Sequence, residues 1–590
     1  MTLVALCLTG CFIPDDYDPC HGFCPDAQYY DAGPAPDMGS LGGALGPTHQ
    51  ADPAPPALSG GTLLVARARP LAVLGDPDGD TVRVIDTSVM AQVGQLALSL
   101  HDDPGRAVED ASGLVHVVLR GAGAVATFDL SEPSAPVVVA RRDVCPVPRG
   151  IAYDAPNDRL HVACMGGELV TLTTTGPIER TVTLASDLRD VVTIDGGLLV
   201  TRFRSSQLLV VDPLAGTVTS TIDLPSMTSA QGTLTPGVAW RVIASGAGAF
   251  VVHQLAGVAP GWGHTAPSCG TASVQAAVTS VSGDRPNAAV VLPCATLAID
   301  AAISADARSI AIAVAGAPPL DACHPILVRA LSGAIVGPPR SLDCLGPRGR
   351  VVAVAWGADG TLFAQTRAPL GLFVVPTRGM PLEIQLPGGL ILDTGLDAFH
   401  AAGADHLACA SCHPEGGEDG RRWTVNGEPL RTIGLRGGVS GTAPFGWHGQ
   451  LASFDAVIDD MLWHPHAGGT LEADQTSAME HWLDAQPAWT TPRVDDPDAV
   501  TRGRTLFASA GCTDCHAGPS LSNESTIDVS THGAFQVPSL LGLGYRAPYF
   551  HDGCAATLAD VLGSCGGPRH DGSALDAAQR ADLALYLSSL

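Results

Sequence analysis

The 590-residue chain has no lysine: all 32 of its Lys and Arg positions are arginine, which reads as compositional bias rather than as the mark of a mechanism. Charged residues are scarce, at 15%, and aromatics scarcer, at 5%. The charges are also lopsided, with 59 acidic side chains giving a formal net charge of -27. Holding a phosphate backbone requires clustered cations, so the balance argues against a nucleic-acid partner; an acidic surface suits a basic partner or plain solubility. Beyond the first residues, no apolar run is long enough to span a bilayer. What the chain has instead is length for two to four domains, with 68 glycines, 46 prolines and 16 cysteines.

The cysteines fall into three sets. Four belong to two CxxCH units, "CASCH" at Cys409 and "CTDCH" at Cys512. Cys7 and Cys11 lie at the N-terminus. The other ten occur as near neighbours, Cys20/Cys24, Cys145/Cys164, Cys269/Cys294, Cys323/Cys344 and Cys554/Cys565. Local disulfides in an oxidising compartment are expected of them, with reduced thiols as the alternative.

The opening "MTLVALCLTGCF" ends in Leu8-Thr9-Gly10-Cys11, which resembles the lipobox of a bacterial lipoprotein signal, although the basic n-region is missing. That resemblance implies a signal over residues 1–11, lipidation of Cys11 and export. The product would be lipid-anchored at the outer membrane, in the periplasm or on the cell surface. Residues 12–59 are rich in Pro, Asp, Gly and Ala, too poor in aliphatics for a core, and are expected to be a disordered tether.

From residue 60 to 392, short β-branched runs such as "TVRVIDTS", "RLHVACMGGELVTLTTTG" and "SIAIAVAG" alternate with Gly, Asp and Pro turns. These are period-two strands. Val82 to Asp86, Thr127 to Leu130 and Leu208 to Asp212 hold matching places at multiples of roughly forty residues, a propeller-blade period. About seven such units can be counted, the fifth lengthened around Cys269. The region resembles YVTN or WD-like β-propellers in architecture; a pair of β-sandwiches is the alternative.

After Pro387 the pattern turns helical and histidine-rich. In CxxCH, two thiols can add across the vinyl groups of one haem while the next histidine ligates its iron. A redox disulfide or half a zinc site would use CxxC alone; two copies, each with its histidine, favour two covalent c-type haems on Cys409, Cys412 and His413 and on Cys512, Cys515 and His516. Each unit has a leading helix with an aromatic, Phe399 or Phe507, and a closing helix with another, Trp482 or Tyr586. Between them, Ala443-Pro444-Phe445 and Gly449 align without a gap on Ala547-Pro548-Tyr549 and Gly553. Two copies of one all-α class I cytochrome c domain are expected, over 393–490 and 491–590, each with a close helix crossing; Gly503 allows it in the second.

"VPSLLGLGYRAPYFHDGCAATLADVL", with Pro538-Ser539-Leu540 and Ala547 through Gly553, resembles the bacterial di-haem cytochrome c peroxidase superfamily, which includes the methylamine-dehydrogenase maturase. The resemblance covers about 393–590 and leaves out the propeller. It implies two unequal haems, one relaying electrons and one meeting peroxide, and sometimes a calcium between domains, although no loop has oxygen-ligand spacing. Where the family places a methionine on the second haem, this chain has Cys565. His570 is the first candidate for that sixth position and His551 the second. For the first haem the candidates are His464, His466 and Met461, with an open site as the alternative; Met461 also continues the apolar stripe of Phe454, Val457 and Ile458. Glu415 and Glu418 are weak acid/base candidates, and Trp423 is an electron relay or a packing residue. Arg421, Arg422, Arg431 and Arg436 are candidate propionate partners.

The expectation is therefore an exported peroxidase-like oxidoreductase exchanging electrons with a small redox protein. The alternative is a non-enzymatic relay whose propeller docks an unknown ligand. A third reading places catalysis in the propeller, where no cluster of metal or quinone ligands is visible.

Overall fold

The computed structural model describes residues 45–229, 232–246, 248–257, 272–316, 325–339, 347, 349–388, 390–403, 406–425, 427–463, 471–494, 496–530 and 533–590. The expected signal with Cys11, the Cys20/Cys24 and Cys323/Cys344 pairs, Cys269, His464 and His466 lie outside the described residues. Among those described, no helix is long and apolar enough to cross a membrane.

Seven antiparallel sheets form the blades of a propeller, spanning 63–97, 104–143, 148–183, 188–223, 227–291, 298–339 and 350–385. Six have four strands in sequence order; the fifth has six. The second strand of the second blade, Val115–Leu119, is buried throughout, whereas its outermost strand, Val137–Asp143, is largely exposed. Blades cover each other's faces, so inner strands are apolar on both sides and the period-two signal survives only at the rim.

Each seam has its own apolar core, and the ring closes where Leu63, Leu74 and Ile85 of the first blade meet Phe363, Leu372 and Val374 of the last. Closure there rests on side-chain packing, since the first and last blades share no strand. The Cys145–Cys164 bridge forms as expected, and Cys294 is also disulfide-bonded.

The axis of the ring is charged. Arg106 reaches Asp190 at 3.4 Å and Asp300 at 3.3 Å, and Arg241 reaches the same two carboxylates at 2.9 and 3.3 Å. These four residues come from the strands Pro104–Glu109, Leu188–Ile194, Gly232–Ser245 and Ala298–Ile303 of four different blades. Removing one partner of such a buried set leaves a charge uncompensated and costs about 3–5 kcal/mol.

The C-terminal region is helical and internally duplicated. Its first repeat has a leading helix, Thr394–His400, capped by Asp393, and a closing helix, Ala473–Ala485; the second has Pro497–Ser509, capped by Asp496, and Ala577–Ser588. In both, a glycine lets the helices cross. A Cβ on Gly395 would collide with the Ala478 carbonyl and Trp482, and one on Gly503 with the Asp582 carbonyl and Tyr586. Phe399 packs on Trp482 at 5.0 Å and Phe507 on Tyr586 at 5.3 Å. The isolated bridge Phe445↔Leu451 recurs as Tyr549↔Ala555.

The expected tether needs correction at its end. Residues 45–59 are not open chain but a strap between propeller and first repeat. Leu58 and Ala57 share a core with Phe203, Trp240 and Val352 on one side and Phe399 and Trp482 on the other. The Pro55 carbonyl accepts from the Trp482 indole at 2.8 Å, and the Ala51 amide donates to Asp393 at 3.0 Å. The composition is poor in aliphatics because the strap needs only a few; partner surfaces supply the rest.

Candidate functional site

In the first motif, Cys409–Cys412 form a single helical turn and the His413 amide donates to the Cys409 carbonyl at 2.9 Å. In the second, Gly511 takes a left-handed conformation (φ 79°) to start the turn Cys512–Asp514, and the His516 amide donates to the Cys512 carbonyl at 2.9 Å. None of the four motif cysteines is in a disulfide.

The imidazoles are oriented alike. His413 Nδ1 lies 3.3 Å from the Gly417 carbonyl oxygen and His516 Nδ1 3.0 Å from that of Leu521. A carbonyl can only accept, so Nδ1 carries the proton and Nε2 keeps the lone pair a metal would use. Burial pushes both imidazoles below their ordinary value, and His570 adds to the effect at His516.

His570 repeats this arrangement, its Nδ1 3.1 Å from the Gly566 carbonyl oxygen and its ring edge-on to Phe550 at 5.0 Å. Cys565 is bonded to Cys554, as the sequence suggested. His551 is placed differently: its ring stacks on Phe535 at 3.9 Å, and its carbonyl accepts from the Arg431 amide at 2.7 Å. Met461 is 43% exposed on the helix Phe454–Trp463, off the stripe that buries Phe454 and Ile458. Among the described residues, no group of three or more His, Cys, Asp or Glu side chains is arranged to hold a metal ion, and no calcium ligands can be named.

The two glutamates lie where the first repeat meets the propeller. Glu415, with no exposed side-chain surface, takes Arg189 at 2.6 Å and Arg120 at 3.2 Å on one oxygen and Arg149 at 3.0 Å on the other. Burial alone would raise its pKa, but the Arg189, Arg120 and Arg149 guanidiniums hold the carboxyl well below the usual range. Glu418 pairs with Arg204 of the propeller at 3.2 Å and with Arg431 at 2.9 Å, with Arg546 of the second repeat at 4.0 Å. Both carboxylates, expected as acid/base groups, are thus committed to ion pairs.

The arginines expected at propionates are also engaged by protein. Arg421 donates to the Ala256 carbonyl at 2.7 Å, Arg422 to that of Asp552 at 3.4 Å, Arg431 to that of Phe550 at 3.0 Å, and Arg436 to that of Glu415 at 2.9 Å while covering Trp489. Trp423 stays within its own hairpin, bonded to Thr432 at 3.0 Å.

Sequence reasoning missed the boundary between the repeats, which is reciprocal. Arg431, ending the strand Glu428–Arg431, donates its amide to His551; Gln536, ending Ala534–Gln536, donates its amide to the Trp447 carbonyl at 2.8 Å. Trp447 and His551 hold the same place in the gapless alignment. Their rings lie 6.3 Å apart, and Phe535 continues the array to His448 at 4.9 Å. That alignment was the available signal: it paired two aromatic side chains at one position of the duplicated loop.

No protein-family model matches the chain. Over 86 residues it is 33% identical to cytochrome c551 peroxidase of Nitrosomonas europaea, a stretch covering 11% of this chain and 26% of that protein; the match thus spans about a quarter of that relative's length. Among solved structures, Kuenenia stuttgartiensis hydrazine synthase superposes with a TM-score of 0.42 at 15% identity, over 56% of this chain and 98% of the other. A streptogramin B lyase gives 0.37 at 12%, over 52% and 91%. Scores this low carry no argument about function.

Proposed function

We propose that the C-terminal region is a di-haem c-type cytochrome with peroxidase-like oxidoreductase activity, one haem on Cys409, Cys412 and His413, the other on Cys512, Cys515 and His516. One observation carries this reading: in two copies of the same frame, a CxxC pair outside any disulfide precedes a histidine whose Nδ1 is tied to a carbonyl. The residues fit the group, because the described cysteines outside the two motifs are in disulfides, whereas these four are not, and their CxxCH spacing is the one thioether attachment uses. The partial match to a cytochrome c551 peroxidase supports the same class. A covalent haem supplies one-electron and peroxide chemistry at its iron.

The chain's own residues set what that chemistry can use. His570, oriented through Gly566, would be the further residue that holds the second haem, since Cys565 is held in a disulfide. Two imidazoles in place of His/Met lower a haem's potential. Trp447, His551 and Phe535 bridge the repeats and provide the electron route in place of Trp423. The disulfides are consistent with export, with lipidation of Cys11 as the anchor. The net charge of -27 favours a redox partner with a basic face.

The relay reading is favoured by one specific observation: both glutamates beside the first motif are neutralised by arginines, which leaves neither free to move a proton. Mass spectrometry of the mature protein should find two added haems. A titration then decides between the readings: a high-spin haem that responds to peroxide supports the enzyme, and two low-spin haems inert to peroxide establish the relay. A mature protein without a Soret band removes both.

A further inference from the structure

The propeller presents a concentrated set of arginines to one carboxylate of the first repeat. We propose that this arginine cage positions the loop behind His413 and thereby sets the reduction potential of the first haem. The proposal rests on the haem reading above.

The geometry is continuous from blade to imidazole. Arg120 directly follows the strand Val115–Leu119, Arg149 lies in Pro148–Asp154, and Arg189 in Leu188–Ile194, so three successive blades converge on Glu415. Arg189 is itself anchored, donating to the Ser59 carbonyl at 2.6 Å. Glu415 adopts a left-handed backbone (φ 57°), unusual for a side-chain-bearing residue, which the cage holds in place. Around it the chain folds tightly: the Gly416 amide donates to the His413 carbonyl and the Gly417 amide to that of Pro414, both at 3.0 Å. The loop then delivers the Gly417 carbonyl to His413 Nδ1. Seating Glu415 therefore fixes the oxygen that orients the imidazole, and Arg436 on the Glu415 carbonyl locks it from the other side.

The second repeat orients His516 without any of this. Its acceptor is Leu521, and the intervening "AGPS" has no carboxylate. Arg120 and Arg149 also pair with Asp103 at 3.6 Å and Asp187 at 3.0 Å, so the cage is close to balanced, and removing any one of its charges shifts the field at a nearby iron. Orientation and field together make the propeller a positioning element for one haem and not the other.

The test uses the full-length, haem-loaded protein in spectroelectrochemical titration, with the second haem as internal reference. Arg189→Gln should lower one midpoint by removing positive charge, and Glu415→Gln should raise the same midpoint, while the other haem stays fixed. In both variants the Fe–His stretch of that haem should shift by resonance Raman. If Arg189→Gln does not accumulate, Arg120→Gln, on the longest of the three contacts, carries the same sign. A merely structural role predicts lower thermal stability with both midpoints unmoved, or moved in the same direction by both changes; either result, with two haems still bound, overturns the proposal. A wild-type chain that binds no haem instead removes the reading beneath it, and its mass tells the two failures apart.

Discussion

The two C-terminal repeats share a frame and differ in what surrounds it. Both cross their helices at a glycine and an aromatic, both form the same small bridge, and both tie a histidine Nδ1 to a carbonyl. In the first repeat, however, Trp482 is fully buried in a core that continues into Phe203, Trp240 and Val352 of the propeller. In the second, Phe507, Leu540, Leu583, Tyr586 and Leu587 pack chiefly among themselves. Both copies keep what orients the histidine, while the first sets two carboxylates and the larger Trp482 against the blades and the second meets them at Tyr545, beside Val147 and Met165.

The comparison is broken most completely at the thiols. Cys409→Ser with Cys412→Ser, and separately Cys512→Ser with Cys515→Ser, should each leave one haem, read as the loss of one haem mass and about half the Soret absorbance, since two thioethers are the covalent hold. Retention of both haems in either variant would refute equivalent attachment. The next effect is confined to the second repeat. His570→Ala should convert that haem from low to high spin, and His551→Ala should leave its spin state alone, because His551 spends its ring on Phe535. The reverse pattern would exchange their roles.

How much of this was legible follows from the range of each interaction. The blade period, the helix crossing at Gly503 and Tyr586, and the Cys145/Cys164 and Cys554/Cys565 pairs were all readable, because each is a local pattern or a repeat. The roles of Glu415 and Glu418 were not, since Arg120, Arg149 and Arg189 lie hundreds of residues away and proximity to His413 suggested chemistry instead. A usable hint was present: arginine recurs on inner strands of successive blades at Arg106, Arg149, Arg189 and Arg241, and a cation repeated at one place in a ring needs carboxylate partners. The strap escaped notice because composition measures whether a segment can build a core, not whether it can complete one.

Stability should show the same asymmetry at smaller scale. Trp482→Ala empties a fully buried site and leaves the Pro55 carbonyl with only the Gln486 amide at 3.2 Å, for a loss of about 3–5 kcal/mol. Tyr586→Ala removes a ring that is 9% exposed, in the second repeat's own core, and should cost about 2–3 kcal/mol. Denaturant unfolding of each variant measures the difference. Trp482→Ala should also loosen residues 45–59, seen as faster amide exchange; equal losses with no change in the strap would make the shared core inconsequential.

Acid gives the most graded contrast. His116, between Asp110 and Thr127, is pushed down to about 4 by burial, against the pull of Asp110 and with Arg142 and Asp158 as the other charges acting on it; His253, against Thr279 and the Gln254 carbonyl, is likewise pushed to about 4 by burial. Both are neutral in the folded propeller at pH 5, whereas the unfolded chain takes up their protons from about pH 6.5 downward. The unfolded state then binds more protons, so stability falls as pH drops from about 6.5 to 4, by up to about 3 kcal/mol for each histidine. Burial lowers His516 and His570 in the second repeat as well, and His400 in the first, so each repeat has its own acid sensitivity; the first adds that of the blades, because it shares their core. At pH 4.5, amide exchange in Ala473–Ala485 should therefore accelerate together with the strand Val115–Leu119, while Ala577–Ser588 keeps more of its protection. Replacing His253 with Gln should flatten that pH dependence. If the two closing helices respond equally to acid, the first repeat is no more a part of the propeller than the second, and the asymmetry ends at the ion pairs.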